Sequence, residues 1–158
     1  MDNALGSSPV RMEDERLVTG RGRFTDDIAL PRELHMVVVR SPHAHARILA
    51  IDVGAARDAP GVHAVAIAAD LRAAGIRGHD IFVRYPRPDG RPMFVPERLA
   101  LAEGTVRFVG DPVAAVFAET REQARDAAEL CLVDYDPLPA DTDIAEALAD
   151  GAPQLWNE

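Results

Sequence analysis

The chain has 158 residues, 26 acidic against 17 basic side chains, a net charge of −9 and a composition that is 47% hydrophobic and 27% charged. That is room for one domain with a real core and too little for two, and acidity spread along the chain leaves no basic face for nucleic acid or an anionic membrane. All 17 basic residues are arginine, so pyridoxal phosphate Schiff bases, a phosphate-loop lysine and lipoyl or biotinyl attachment are excluded.

Residues 1–16 are polar, contain Gly-Ser-Ser-Pro and read as a flexible, extended segment. They lack the basic start and apolar stretch of a secretory signal. No apolar run approaches the ~20 residues of a membrane-spanning helix. The expectation is a soluble cytoplasmic protein with a single folded domain over residues 17–158.

"TGRGRFTDDIALP" (Thr19–Pro31) reads as an ordered, turn-rich loop. "LHMVVVR" (Leu34–Arg40) and "HARILAIDV" (His45–Val53) read as strands joined across Ser41-Pro42. "GAARDA" predicts one or two helical turns ended by Pro60-Gly61, and "VHAVAI" (Val62–Ile67) a third strand. Asp70 is placed as the cap of a short helix, "LRAA", closed by Gly75. Ile76–Arg98, with four prolines, reads as a long loop.

Val106 and Phe108 alternate with Arg107, which suggests a half-exposed strand broken at Gly110-Asp111-Pro112. "VAAVFA" (Val113–Ala118) is apolar throughout, as in a strand covered on both faces. Thr120 and Gln123 have capping-box spacing, and Ala124, Ala127, Ala128 and Cys131 form a small-residue stripe expected to pack on that strand. "LVDYDPLPA" (Leu132–Ala140) starts as a strand. Asp143 and Glu146 then box a last helix with Ile144, Ala147 and Leu148 on one face and Gly151 at its end. Strand pairs with interspersed short helices and no βαβ repeat predict an α+β fold.

Candidate chemistry is sparse. His43 and His45 form an H-x-H pair whose imidazoles share one face of an extended chain, as in some metal sites. A third ligand would come from His35, His63, His79 or a carboxylate, none at a recognisable spacing; turn and strand-edge histidines bonded to backbone are the alternative. Gly20–Arg23, "GRGR", is either a phosphate nest or a turn with exposed arginines. Asp26 and Asp27 could bind a divalent cation or serve as acid and base, but adjacent side chains on an extended chain point apart, so capping suits them better. Cys131, the single cysteine, reads as a buried, inert thiol. No residue is assigned a catalytic, cofactor-binding or metal-binding role.

"RMEDERLVTGRGRFTDDI", "LHMVVVRSPHAHARILAIDVGAARDAPGVHAV", "VRFVGDPVAAVFAETREQARDAAELCLVDYDPLPA" and "DIAEALADGAPQLWNE" together resemble the N-terminal α/β-hammerhead domain of the molybdenum-binding large subunit of the xanthine dehydrogenase/aldehyde oxidase family. The opening stretch resembles most the carbon monoxide dehydrogenase-like branch. Asp111 stands where the family more often has glutamate. The resemblance implies a mixed or antiparallel sheet with short packed helices. It also implies that the molybdopterin-binding segments and catalytic glutamate lie in the larger region after the hammerhead, with iron–sulfur clusters and FAD on other domains or subunits.

On that footing the chain is expected to be a structural and assembly part of a molybdopterin-dependent oxidoreductase, inactive alone. Its partners would be the catalytic molybdopterin-binding region and the iron–sulfur and FAD domains or subunits, with self-association through the surface they would cover. Arg21, Arg23 and Phe24 are the expected rim and anchor of that interface. Two alternatives stand beside it: a free-standing interaction module that kept the fold without a catalytic partner, and a small metal-binding protein using His43 and His45.

Overall fold

Valine- and alanine-rich runs become strands, and the turns between them decide which strands meet. The computed structural model describes Gly6, residues 11–79, Ile81 and residues 83–156. Chain contacts divide it into two units, Met1–Glu33 and Leu34–Glu158.

In the first unit, helix α1 spans Asp14–Val18. Part of the segment expected to be extended up to residue 16 is therefore helical; residues 1–5 and 7–10 lie outside the described residues. Asp14 and Glu15 in the first turn and Arg16 in the last complement the helix dipole, which favours the turn despite its length. A single 3-10 turn follows at Thr25–Asp27.

The second unit holds strands β1 (His35–Arg40), β2 (Ala46–Asp52), β3 (Val62–Ile67), β4 (Thr105–Val106), β5 (Pro112–Ala118) and β6 (Leu132–Pro137). Helices α2 (Gly54–Arg57), α3 (Ala68–Ala73), α4 (Arg121–Glu129) and α5 (Ile144–Ala147) lie between or after them. The strands make two three-stranded antiparallel sheets, ordered β1-β5-β3 and β4-β2-β6. The α+β expectation holds, and the sheets are antiparallel rather than mixed.

β5 is the centre of the first sheet, with Ala115 opposite Val38 and Val116 opposite Val65. Covered on both faces, its residues from Val113 to Val116 are buried, as its unbroken apolar run predicts. Val116 meets Val53, Ala56 and Ala127 on one side. Val113 meets Ala46, Ala102 and Val106 on the other, joining β5 to the second sheet. Small side chains from α4 let the helix sit close: Ala124 and Ala127 are buried, and Ala128 and Cys131 pack at the edge of the Val116 cluster.

Three local expectations need correction. β1 and β2 follow one another across Ser41-Pro42 but belong to different sheets. α3 begins at Ala68, so Asp70 caps from inside the first turn, its carboxylate accepting the Ile67 N–H at 2.9 Å. The strand expected through Phe108 ends at Val106, because the Arg107 N–H donates to Asp111 Oδ2 at 2.9 Å instead of to a ladder. α5 forms behind its Asp143 cap as expected, and Ile144 and Leu148 on its apolar face are each 81% exposed.

Candidate functional site

The histidine pair is spent on structure. His45 is buried and its Nδ1 lies 2.9 Å from the Pro139 carbonyl, which can only accept, so Nδ1 carries the proton. The His43 ring meets Tyr135 edge-on at 4.9 Å, and its backbone N–H donates to Ser41 Oγ at 3.0 Å. His63 pairs with Glu119 at 3.3 Å, and His79 bridges backbone to Arg98. Among the described residues no group of three or more His, Cys, Asp or Glu side chains is arranged to hold a metal ion.

Arg21 is tied within its own unit, its Nε donating to Thr19 Oγ1 at 3.1 Å and its Nη2 lying 3.4 Å from Glu15. Gly22 is packed against Leu17, which a Cβ at that position would strike. Arg23 is exposed and Phe24 is 67% exposed. Asp27 caps the 3-10 turn by accepting the Phe24 N–H at 2.9 Å, while Asp26 takes no part in that cap. Burial pushes the Cys131 thiol above its ordinary pKa, which suits an unreactive group.

The most organised surface feature is the turn from Arg107 to Pro112. The Gly110 N–H donates to the Ser41 carbonyl at 2.8 Å, and the Ser41 N–H to the Asp111 carbonyl at 2.9 Å. Arg40 Nη1 donates to the Gly110 carbonyl at 2.9 Å, and Asp111 N–H returns to Phe108 at 3.1 Å. Gly110 is at φ +91°, a conformation that side-chain-bearing residues avoid. The tip so fixed carries Phe108 and Val109, 55% and 67% exposed.

Beside it lies a groove of about 550 Å³ lined by Leu99, Ala102, Phe108, Pro112, Leu155 and Trp156. Arg107 stacks on Trp156 with 3.8 Å from guanidinium carbon to ring centroid, and its Nε donates to the Leu155 carbonyl at 2.8 Å. Sequence reasoning does not find this pair: 48 residues separate Arg107 from Leu155, and no periodicity links them. Nearby, burial raises the Tyr135 phenol pKa; hydrogen bonding with Ser41 opposes the shift, and Asp111 adds to it. No described helix is long and apolar enough to cross a membrane.

Residues 19–139 match the sequence profile of the family described as "Aldehyde oxidase and xanthine dehydrogenase, a/b hammerhead domain". The nicotine 6-hydroxylase large subunit of Paenarthrobacter nicotinovorans is 39% identical over 151 residues, covering 94% of this chain and 18% of the relative. The carbon monoxide dehydrogenase large chain of Afipia carboxidovorans is 40% identical, covering 96% of this chain and 17% of the relative. Among solved structures, quinoline 2-oxidoreductase from Pseudomonas putida 86 superposes with a TM-score of 0.82 at 42% identity, over 92% of this chain and 18% of that one. The chain thus spans about a sixth of the length of these relatives.

Proposed function

Because this chain belongs to the aldehyde oxidase and xanthine dehydrogenase a/b hammerhead domain family, we propose that it is the structural and assembly domain of a molybdenum hydroxylase large subunit. It supplies docking surface and no catalytic group. The observation that carries this reading is one of proportion: relatives match 94–96% of this chain while it covers only 17–18% of them. A solved structure 40% identical over 94% of this chain is a copper- and molybdenum-containing carbon monoxide dehydrogenase.

The chain's own residues fit the assignment. An iron–sulfur cluster needs several thiolates, and the chain has one cysteine, with its pKa raised by burial. Arg107, which lines the groove together with Arg98, already donates to Leu155 and Thr105 and stacks on Trp156, so it is not held ready for a cofactor phosphate. A single cysteine does not fit an iron–sulfur cluster, and no reaction step is routed through this chain. What remains is recognition: Phe108 and Val109 on their fixed turn, and Arg21, Arg23 and Phe24 in the first unit, as contacts for the catalytic region and its iron–sulfur and FAD partners.

Co-expression tests the reading. The chain should retain a separate polypeptide carrying the catalytic molybdenum-binding region, and Phe108→Ser/Val109→Ser or Arg21→Ala/Arg23→Ala should weaken retention while the fold survives. Equal retention by a variant pair removes those residues from the interface. The purified chain alone should be colourless and should not reduce dye with purine, aldehyde or carbon monoxide. A stoichiometric flavin or cluster absorption, or turnover by the chain alone, overturns the proposal.

A further inference from the structure

The segment after β6 is fastened at two places. At its start the Leu138 N–H donates to the His45 carbonyl at 2.9 Å, and His45 Nδ1–H donates to the Pro139 carbonyl at 2.9 Å. At its far end Arg107 donates to the Leu155 carbonyl at 2.8 Å and stacks on Trp156 at 3.8 Å. Between these points the hydrogen bonds made by the described residues stay inside the segment: Ala145, Glu146 and Ala147 N–H groups return to Asp143, Ala149 to Glu146, and Ala152 to Ala149. Ile144 and Leu148 at its crest point into solvent.

The two fastenings differ in kind. The His45 end is buried and continues the β2–β6 ladder, whose last register pair is Ala46 with Pro137. It opens only when the second sheet frays. The Arg107 end is a single half-buried side chain holding one carbonyl and one ring face of the segment. A half-buried cation–π contact and one charge-assisted hydrogen bond favour the closed form by a factor on the order of ten. A balance that small is sampled on both sides.

We propose that residues 139–156 form a strap hinged at His45 and latched by Arg107, whose latch opens without the hinge and moves the Leu155–Trp156 wall of the groove. Arg107 itself stays on the turn when the latch opens, because its backbone N–H is held by Asp111. The groove therefore loses one wall while Leu99, Ala102, Phe108 and Pro112 keep theirs.

Trp156 is the chain's only tryptophan, so its fluorescence reports the latch directly. Acrylamide quenching of Trp156 should rise at least about twofold in Arg107→Gln, the loss expected when a half-buried cation–π contact is removed. Hydrogen exchange at the Leu138 amide should not change. Arg107→Lys should fall between the two, keeping the cation but losing the planar donor to Leu155. Unchanged quenching in Arg107→Gln overturns the latch; simultaneous loss of Leu138 protection overturns its independence from the hinge. If Arg107→Gln does not fold, wild type decides the matter. Trp156 quenching in the folded chain at least about twofold below that in urea supports the stacked latch, and equal quenching overturns it.

Discussion

Asp111 accepts the backbone N–H of Arg107 at 2.9 Å, and that one bond turns a strand into a loop. It removes Arg107 from the β2–β4 ladder, ends β4 at Val106 and sets Phe108 and Val109 at the tip. Asp111→Ala leaves that N–H without its partner and should lower stability by about 1–2 kcal/mol, as the loss of a capping side chain does. Asp111→Asn, which keeps an acceptor, should recover most of it. Urea titrations of the three proteins check this, and an Asn variant as weak as Ala would show that the charge matters rather than the bond.

Ala127 is buried against Val53, Ala56, Val65 and Val116. Ala127→Leu forces a larger side chain into that contact and should destabilise by about 1–3 kcal/mol. Ala128 lies at the cluster's edge, so Ala128→Leu should cost less. Thermal or urea midpoints decide, and a reversed order would mean that α4 is rotated about its axis.

Gly61 and the start of α4 are coupled through Gln123. Gly61 sits at φ +75°, and a Cβ there would overlap the Gln123 carboxamide, whose Oε1 accepts the Thr120 N–H at 3.0 Å. Gly61→Ala should cost about 1–2 kcal/mol for the left-handed backbone and about 1 kcal/mol more for the displaced cap. In a Gln123→Ala background the second part should vanish, so the double mutant should be less destabilised than the sum of the singles. Strict additivity would uncouple the two sites.

The strands and helices written in local chemistry were legible. Val62–Ile67 appears at its predicted bounds, and the Thr120–Gln123 box opens α4 with both bonds formed. Pro60-Gly61 and Gly75 end their helices as turn chemistry requires. The partition into two sheets was not legible, because periodicity tells which face of a strand is buried and not which strand lies beside it. α5 forms behind its Asp143 cap as its pattern requires, but no pattern says whether a surface covers its apolar face. Of the named interface residues, Arg21 proves to be tied to Thr19 and Glu15, whereas the Arg107–Trp156 contact joins residues that no local rule connects.

Alkaline pH should loosen the fold through Cys131 and Tyr135. Both groups have pKa values raised by burial above the ordinary 9.0 and 10.0, so the folded state holds their protons longer than the unfolded chain does. Their contribution to stability is complete below the unfolded pKa and is lost as pH rises through the folded one. Stability should therefore fall above about pH 9. Cys131→Ala should flatten the first part of that fall. Thiol labelling of the folded chain should also be slower than in urea; equal labelling rates would place the sulfur in open solvent.

β5 is the only strand in its sheet that touches both others, and it follows β1 by some 70 residues, as the Arg40–Gly110 bond spans. While the chain is being synthesised, β1 and β3 therefore leave the ribosome with no β-partner in that sheet. Two apolar strands wait through residues 68–112 before Val113–Ala118 arrives between them. At translation rates of about 5–20 residues per second the wait lasts several seconds, long enough for the bare valine edge of β1 to meet a neighbouring nascent chain. Slowing elongation across residues 76–112 should thus raise aggregation of newly made protein, while a burst of fast elongation there should lower it.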